Sequence, residues 1–78
     1  MLYKMEDMPA LIDEVKGIIT AAGQDPSTFE IEVIEDPKYP NLRVATYTDN
    51  GGFMVRLYAD HDIDNLKKSL TEIGRAHV

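Results

Sequence analysis

The chain has 78 residues, no cysteine, and a formal net charge of −6 from 14 acidic and 8 basic side chains. This length predicts a single domain, 1–78, with a small core. The missing cysteines exclude disulfides, thiolate zinc sites and cysteine nucleophiles, and they fit a reducing cytoplasm. The charge disfavours direct binding to nucleic acid and to anionic membranes, and no apolar run is long enough to span a membrane.

An amphipathic helix is predicted over residues 8–22. Pro9 suits its first turn, Asp7 can cap its start, and Gly23 fits the position just after its end. Its apolar residues recur at spacings of three and four and form one stripe: Met8, Leu11, Ile12, Val15, Ile18, Ile19 and Ala22.

Three strands are predicted next, at about 29–35, 42–48 and 53–59. The first alternates apolar and acidic residues, and the segment DPKYPN ends it with two prolines. Residues 49–52, DNGG, indicate a hairpin between the second and third strands. One face of these strands is apolar and is expected to meet the helices: Phe29, Ile31, Val33, Leu42, Val44, Phe53, Val55, Leu57 and Ala59.

A second amphipathic helix is predicted at about 62–74, ended by Gly74. Its apolar stripe comprises Ile63, Leu66, Leu70 and Ile73. The order α-β-β-β-α predicts an α+β fold of two layers, because two helices can bury their stripes on one face of a three-stranded antiparallel sheet.

Strand polarity then gathers acids at one end of the molecule. The loop after the first strand and the N-termini of both helices should lie there, with seven of the 14 acids: Glu6, Asp7, Glu35, Asp36, Asp60, Asp62 and Asp64. We call these seven residues the acidic end. Only Lys4 and Lys38 oppose them. A partner-binding surface is predicted at Glu35, Asp36, Asp60, Asp62 and Asp64.

Helix capping is the alternative explanation of the acidic end. Asp7, and either Asp60 or Asp62, can cap the two helices, each cap contributing about 1 kcal/mol, and other acids can interact with the helix dipoles. Two caps and a few dipole contacts need fewer than seven carboxylates. Capping and docking therefore both stay open.

The other face of the sheet is expected to be uncovered. It would present Glu30, Glu32, Ile34, Arg43, Ala45, Tyr47, Met54, Arg56 and Tyr58. Tyrosine, arginine and methionine are enriched in protein interfaces, which makes Arg43, Tyr47, Met54, Arg56 and Tyr58 an alternative partner-binding surface. A solvated face held by cross-strand pairs is the other explanation.

Metal and catalytic motifs are incomplete. Asp60, Asp62 and Asp64 match the first three ligand positions of an EF-hand loop, but Asn65 stands where glycine is needed and Thr71 where the bidentate glutamate is needed. No zinc motif, phosphate-binding glycine loop or nucleophile motif is present. The sequence therefore predicts a non-enzymatic protein with no cofactor and no metal.

The α-β-β-β-α order over residues 9–74 resembles that of the double-stranded-RNA-binding domain. That family implies a basic cluster at the start of its second helix, where this chain reads DHDID, and Lys67 and Lys68 come a turn later. The same order, with acidic loops and negative net charge, is similar to some small phage anti-CRISPR proteins. That resemblance carries no motif. It implies an inhibitor that occupies a nuclease site otherwise filled by DNA.

A non-enzymatic interaction protein is the function that the sequence favours. We expect the acidic end to bind a basic, nucleic-acid-handling protein, of the CRISPR or restriction type, and to block nucleic-acid access. The alternative is an adaptor or oligomer subunit that works through the open sheet face. The chain would be a monomer or a homodimer.

Overall fold

The structure is a computed structural model that describes residues 3–48 and 51–76. In chain order its helices and strands are α1 (Met8–Ala21), β1 (Glu30–Ile34), β2 (Asn41–Thr48), β3 (Gly51–Leu57) and α2 (His61–Ala76). Short 3₁₀ turns at Met5–Asp7 and Pro26–Thr28 precede α1 and β1. The predicted α+β class and α-β-β-β-α order are confirmed.

The sheet is antiparallel, with β2 between two edge strands. Its register aligns residues of all three strands in rows. Glu32, Arg43 and Arg56 form one row, and Glu30, Ala45 and Met54 form the next. Side chains of one row point to the same face because successive residues of a strand alternate between faces.

A single core joins both helices to one face of the sheet. Its buried side chains are Met8, Leu11, Val15, Ile19, Leu42, Val44, Phe53, Leu57, Ile63, Leu66 and Leu70. Phe29 packs its ring edge-on against Phe53 with ring centroids 5.9 Å apart. The predicted apolar stripes are therefore buried or partly buried, and Ala59 is buried with them. Ala22 is the exception: it is exposed, because α1 ends one residue before it. The side chain of Ile73 lies outside the described part of the structure.

The predicted end of α1 is confirmed in detail. Gly23 has φ +83°, a left-handed conformation that favours glycine. Its N–H donates to the carbonyl of Thr20 at 3.0 Å, and the N–H of Gln24 donates to that of Ile19 at 3.1 Å. These two bonds form a Schellman motif, which satisfies carbonyls that the helix leaves open.

Several predicted boundaries differ from the structure by one or two residues, and β3 ends at Leu57 rather than at 59. β3 begins at Gly51 rather than at 53, because Gly51 and Gly52 continue the ladder opposite Thr48 and Tyr47. The tip of the hairpin, residues 49–50, lies outside the described residues. Helix α2 continues through Gly74 to Ala76, so this glycine does not end it. In the described ranges, no helix is long and apolar enough to cross a membrane.

Candidate interaction surfaces

The acidic end is assembled by the ends of the strands. β1 and β3 both end, and β2 begins, where Ile34 pairs with Asn41 and Leu42 pairs with Leu57. The N–H of Tyr3 donates to the carbonyl of Tyr58 at 3.2 Å, which brings the segment before α1 to the same end. The structure therefore places the predicted acidic segments together.

Asp36 closes the turn that follows β1. Its Oδ1 accepts hydrogen bonds from the N–H groups of Lys38 at 2.8 Å and Tyr39 at 3.1 Å. Those backbone N–H groups stabilise the ionised form and lower the pKa of the Asp36 carboxyl. Asp36 is thus both a structural residue and a fixed negative charge.

Asp62 fastens the junction between β3 and α2. Its Oδ2 accepts hydrogen bonds from the N–H groups of Tyr58 at 2.5 Å and Ala59 at 3.0 Å. Both N–H groups precede α2, so these bonds are not the helix cap predicted for Asp62. In the first turn of α2, the N–H of Ile63 instead donates to the backbone carbonyl of Asp60 at 3.1 Å. Asp62 is a clamp on the strand exit because it reaches backwards from the first turn of α2.

Asp60 and Asp7 also have local partners. The carboxylate of Asp60 acts on the hydroxyl of Tyr3 and disfavours its ionisation. Burial, and then the nearby charges of Asp60 and Glu14, raise the pKa of Tyr3 to about 12. Asp7 accepts a hydrogen bond from the N–H of Lys4 at 3.3 Å and makes no side-chain cap on α1, although it occupies the cap position.

Three residues of the acidic end have no such task. Glu6, Glu35 and Asp64 are exposed, and within the described part of the chain they make no side-chain hydrogen bond or ion pair. The other four acids each interact with a nearby backbone N–H or with Tyr3, and their carboxylates still lie at the acidic end: Asp7, Asp36, Asp60 and Asp62. Local bonding explains more of the cluster than helix capping alone, and these three residues are the surplus beyond it.

The open sheet face carries large exposed side chains. Tyr47 is 70% exposed, Met54 57% and Tyr58 37%. Arg43 donates from Nη2 to the hydroxyl of Tyr47 at 3.0 Å, and its Nη1 lies 3.5 Å from Oε2 of Glu32. Ala45 stands between Arg43 and Tyr47 on the same face and is fully buried, which the sequence pattern did not predict.

The two arginines of this face differ in their surroundings. The side chain of Arg43 is only 18% exposed and has the two partners just described. Arg56, its neighbour on β3, is exposed and pairs with no other described residue. Glu32, on the opposite edge strand of the same row, keeps 56% of its side chain exposed despite its contact with Arg43.

Asn41 is a buried polar residue that the sequence pattern did not single out. It is 2% exposed, and its Nδ2 donates to the carbonyl of Tyr39 at 3.1 Å. Its Oδ1 has no hydrogen-bond partner in the described structure. Asn41 therefore ties the turn closed by Asp36 to the start of β2.

The concave features lie apart from the predicted sites. One open groove of about 470 Å³ runs between α1 and α2, with Gly17 and Ala21 in its wall and Glu14 and Lys67 as its charged groups. A second, of about 410 Å³, is lined by Lys16, Pro26, Ser27, Phe29 and Ile31. Within residues 3–48 and 51–76, no group of three or more histidine or carboxylate side chains is placed to hold a metal ion.

The side chain of His61, the histidine within the acidic stretch, is 82% exposed and its Nε2 lies 3.3 Å from Oδ1 of Asp62. Its position shows neither a nucleophile nor a set of metal ligands around it.

Comparison of the chain with protein-family models, with curated proteins and with solved structures gave no match.

Proposed function

We propose that this protein is a non-enzymatic interaction protein whose acidic end binds the basic surface of a nucleic-acid-handling protein and blocks nucleic-acid access. One observation carries the proposal. Seven acids lie at one end of the fold, opposed by Lys4 and Lys38, and three of them have no structural task. The proposed partner is of the CRISPR or restriction type, and the proposed setting is a phage or mobile element.

The arrangement of the charges supports this proposal. A surface that binds nucleic acid presents lysine and arginine side chains to the phosphates, and clustered carboxylates complement the same surface. Asp36 and Asp62 are held by backbone N–H groups, so their charges keep defined positions. The N–H groups of Lys38 and Tyr39 also lower the pKa of Asp36, because they stabilise its charged form.

The test separates the surplus acids from the structural ones. Glu6→Gln, Glu35→Gln and Asp64→Asn together change the net charge from −6 to −3 and leave the described hydrogen bonds intact. The matched control is Asp13→Asn, Glu30→Gln and Glu72→Gln, three exposed acids elsewhere with the same effect on net charge.

Both triple variants and the original chain are immobilised and exposed to lysate of the cells in which the protein is made. Captured proteins are then challenged with excess double-stranded DNA. We expect the original chain and the control variant to capture a nucleic-acid-binding protein, and we expect excess DNA to release it. The acidic-end variant should capture much less of this protein. The proposal is wrong if DNA releases no captured protein, or if the acidic-end variant captures the same protein equally well.

The open sheet face supports a second candidate function, that of an adaptor or oligomer subunit. Its supporting observation is the exposure of Tyr47 and Met54 on a face that no helix covers. Changing Tyr47 and Tyr58 to alanine should then weaken assembly. An unchanged molar mass by light scattering, with an unchanged set of captured proteins, would contradict this candidate.

A further inference from the structure

The open sheet face has its charges arranged unevenly between its two edges. β1 presents Glu30 and Glu32, whereas β3 presents Met54 and Arg56. Glu32 and Arg56 lie in one row, on either side of Arg43, and both are exposed. One edge of the face is therefore negative and the other carries a positive charge without a partner in the described structure.

Such a face can complement a copy of itself. When two copies pack face to face about a two-fold axis parallel to the strands, β1 of each lies over β3 of the other and positions along the strands are kept. Glu32 of one copy then faces Arg56 of the second copy, twice in each dimer. Tyr47, on the central strand, lies close to the axis and meets its symmetry mate.

The other face-to-face two-fold arrangement is unfavourable. With the axis perpendicular to the strands, β1 lies over β1 and β3 over β3. Glu30 and Glu32 on β1 of one copy then face the carboxylates of β1 in the second copy. Arg56 on β3 likewise faces β3 of the second copy. Like charges brought together in an interface cost several kcal/mol. The two Glu32–Arg56 pairs therefore favour the axis parallel to the strands, which also places Arg43 of one copy opposite Arg43 of the other.

We propose that this protein forms a homodimer through its open sheet face, with the two-fold axis parallel to the strands and with Glu32 of each copy paired with Arg56 of the other. This proposal rests on the second candidate function and names its partner as a second copy of the chain. It uses no residue of the acidic end, and the chosen axis places the acidic ends of the two copies at the same end of the dimer.

The size of the face predicts a weak dimer. Three strands spaced by about 4.8 Å, each rising about 3.3 Å per residue over about seven residues, cover roughly 350 Å². A standard stable interface buries about 800 Å² per partner. We therefore expect a weak dimer, which forms only at high chain concentration.

The first test exchanges the two charges. Glu32→Arg and Arg56→Glu are made singly and together, and each chain is followed by sedimentation equilibrium up to about 1 mM, where a weak dimer is still detected. We expect dimers for the original chain and the double variant, and a dissociation constant at least tenfold higher for each single variant. An equimolar mixture of the two single variants should recover dimers, because both Glu–Arg contacts then reform.

This mixture separates a contact between copies from a fault in folding. A single variant that lost dimers through misfolding would not regain them by mixing, and far-ultraviolet circular dichroism checks each fold. A monomeric original chain at 1 mM overturns the proposal, as does a mixture that stays monomeric. The acidic-end proposal survives such a result if the monomer still captures its DNA-displaceable partner.

The second test measures the direction of the axis. Because the chain has no cysteine, Glu30→Cys and Met54→Cys place single thiols on the two edge strands of one row. A short bifunctional maleimide should join a Glu30→Cys chain to a Met54→Cys chain faster than it joins two Glu30→Cys chains. Faster joining of like chains would overturn the proposed axis.

Discussion

The guanidinium of Arg43 donates a hydrogen bond to the hydroxyl of Tyr47 at 3.0 Å, across the fully buried Ala45. Arg43→Ala removes this bond and the contact with Glu32, and it uncovers Ala45. We expect the free energy of unfolding to fall by about 1 kcal/mol, measured by urea denaturation at low micromolar concentration. Arg56→Ala is the matched control and should change it by less than about 0.5 kcal/mol. Equal effects would show that the Arg43 contacts add nothing.

Asp62 should contribute more to stability than its exposed neighbour Asp64. Asp62→Ala leaves the N–H groups of Tyr58 and Ala59 without their acceptor, and we expect a loss of about 1–3 kcal/mol in the free energy of unfolding. Asp64→Ala removes the same charge from the same helix turn and should cost less than about 0.5 kcal/mol. Thermal denaturation of the two variants side by side measures the difference. Similar melting temperatures would contradict the clamp.

Two glycines of the first helical segment should respond to alanine with opposite signs. Gly23 has φ +83°, so Gly23→Ala introduces backbone strain and should lower the free energy of unfolding by about 1 kcal/mol. Gly17 lies inside α1 with open space where an alanine Cβ would lie, so Gly17→Ala should raise it by about 0.5–1 kcal/mol. Urea denaturation of both variants checks the signs, and a stabilising Gly23→Ala would be inconsistent with the Schellman motif.

The contribution of Asp36 should depend on pH. Its pKa is lower in the folded chain than in the unfolded chain, because the N–H groups of Lys38 and Tyr39 bind the carboxylate. The stability it contributes is therefore present above the unfolded pKa, about 3.9, and is lost as the pH falls through the folded value. We expect Asp36→Asn to be less stable than the original chain at pH 7 and the difference to shrink below about pH 4. A difference that does not vary with pH would contradict this.

Tyr3 should ionise well above the ordinary pKa of a tyrosine. Its pKa of about 12 in the folded chain lies above the ordinary value of 10.0, so the folded chain binds this proton more tightly than the unfolded chain does. This contribution to stability is complete below pH 10.0 and is lost as the pH rises towards about 12. Ultraviolet titration of tyrosinate should show a late step that Tyr3→Phe removes and that Asp60→Asn moves to lower pH. A late step that persists in Tyr3→Phe belongs to another tyrosine.

Helices and strands were predictable because their periodicities differ. Spacings of three and four identified the stripe of α1, and alternation identified the inward face of the sheet. The start of β3 was wrong by two residues, since Gly51 and Gly52 are typical of turns but here pair with β2. Gly74 shows the same limit: its helical neighbours, rather than its own propensity, decide its conformation.

The acidic end was predictable in place but not in detail. The directions of the strands are enough to place Asp36 and the start of α2 at the same end of the molecule. The individual hydrogen bonds were not predictable. The bond from the N–H of Tyr58 to Asp62, for example, depends on how the chain turns between the end of β3 and the start of α2. The turn closed by Asp36 had a signal, an aspartate followed by proline, that is typical of side chains that bond the backbone two residues on. The burial of Asn41 had none.

Asp36 and Asp62 are held by backbone N–H groups, which has a consequence for the entropy of binding. A flexible acid loses rotamer freedom when a partner immobilises it, at roughly 0.5–1.5 kcal/mol for each side chain. These two carboxylates have already lost that freedom on folding, so docking on them carries less of this entropic cost. Glu6 and Glu35 make no such bonds and would bear it in full. The anchored acids thus offer rigid contacts, and the unanchored ones offer adaptable contacts around them.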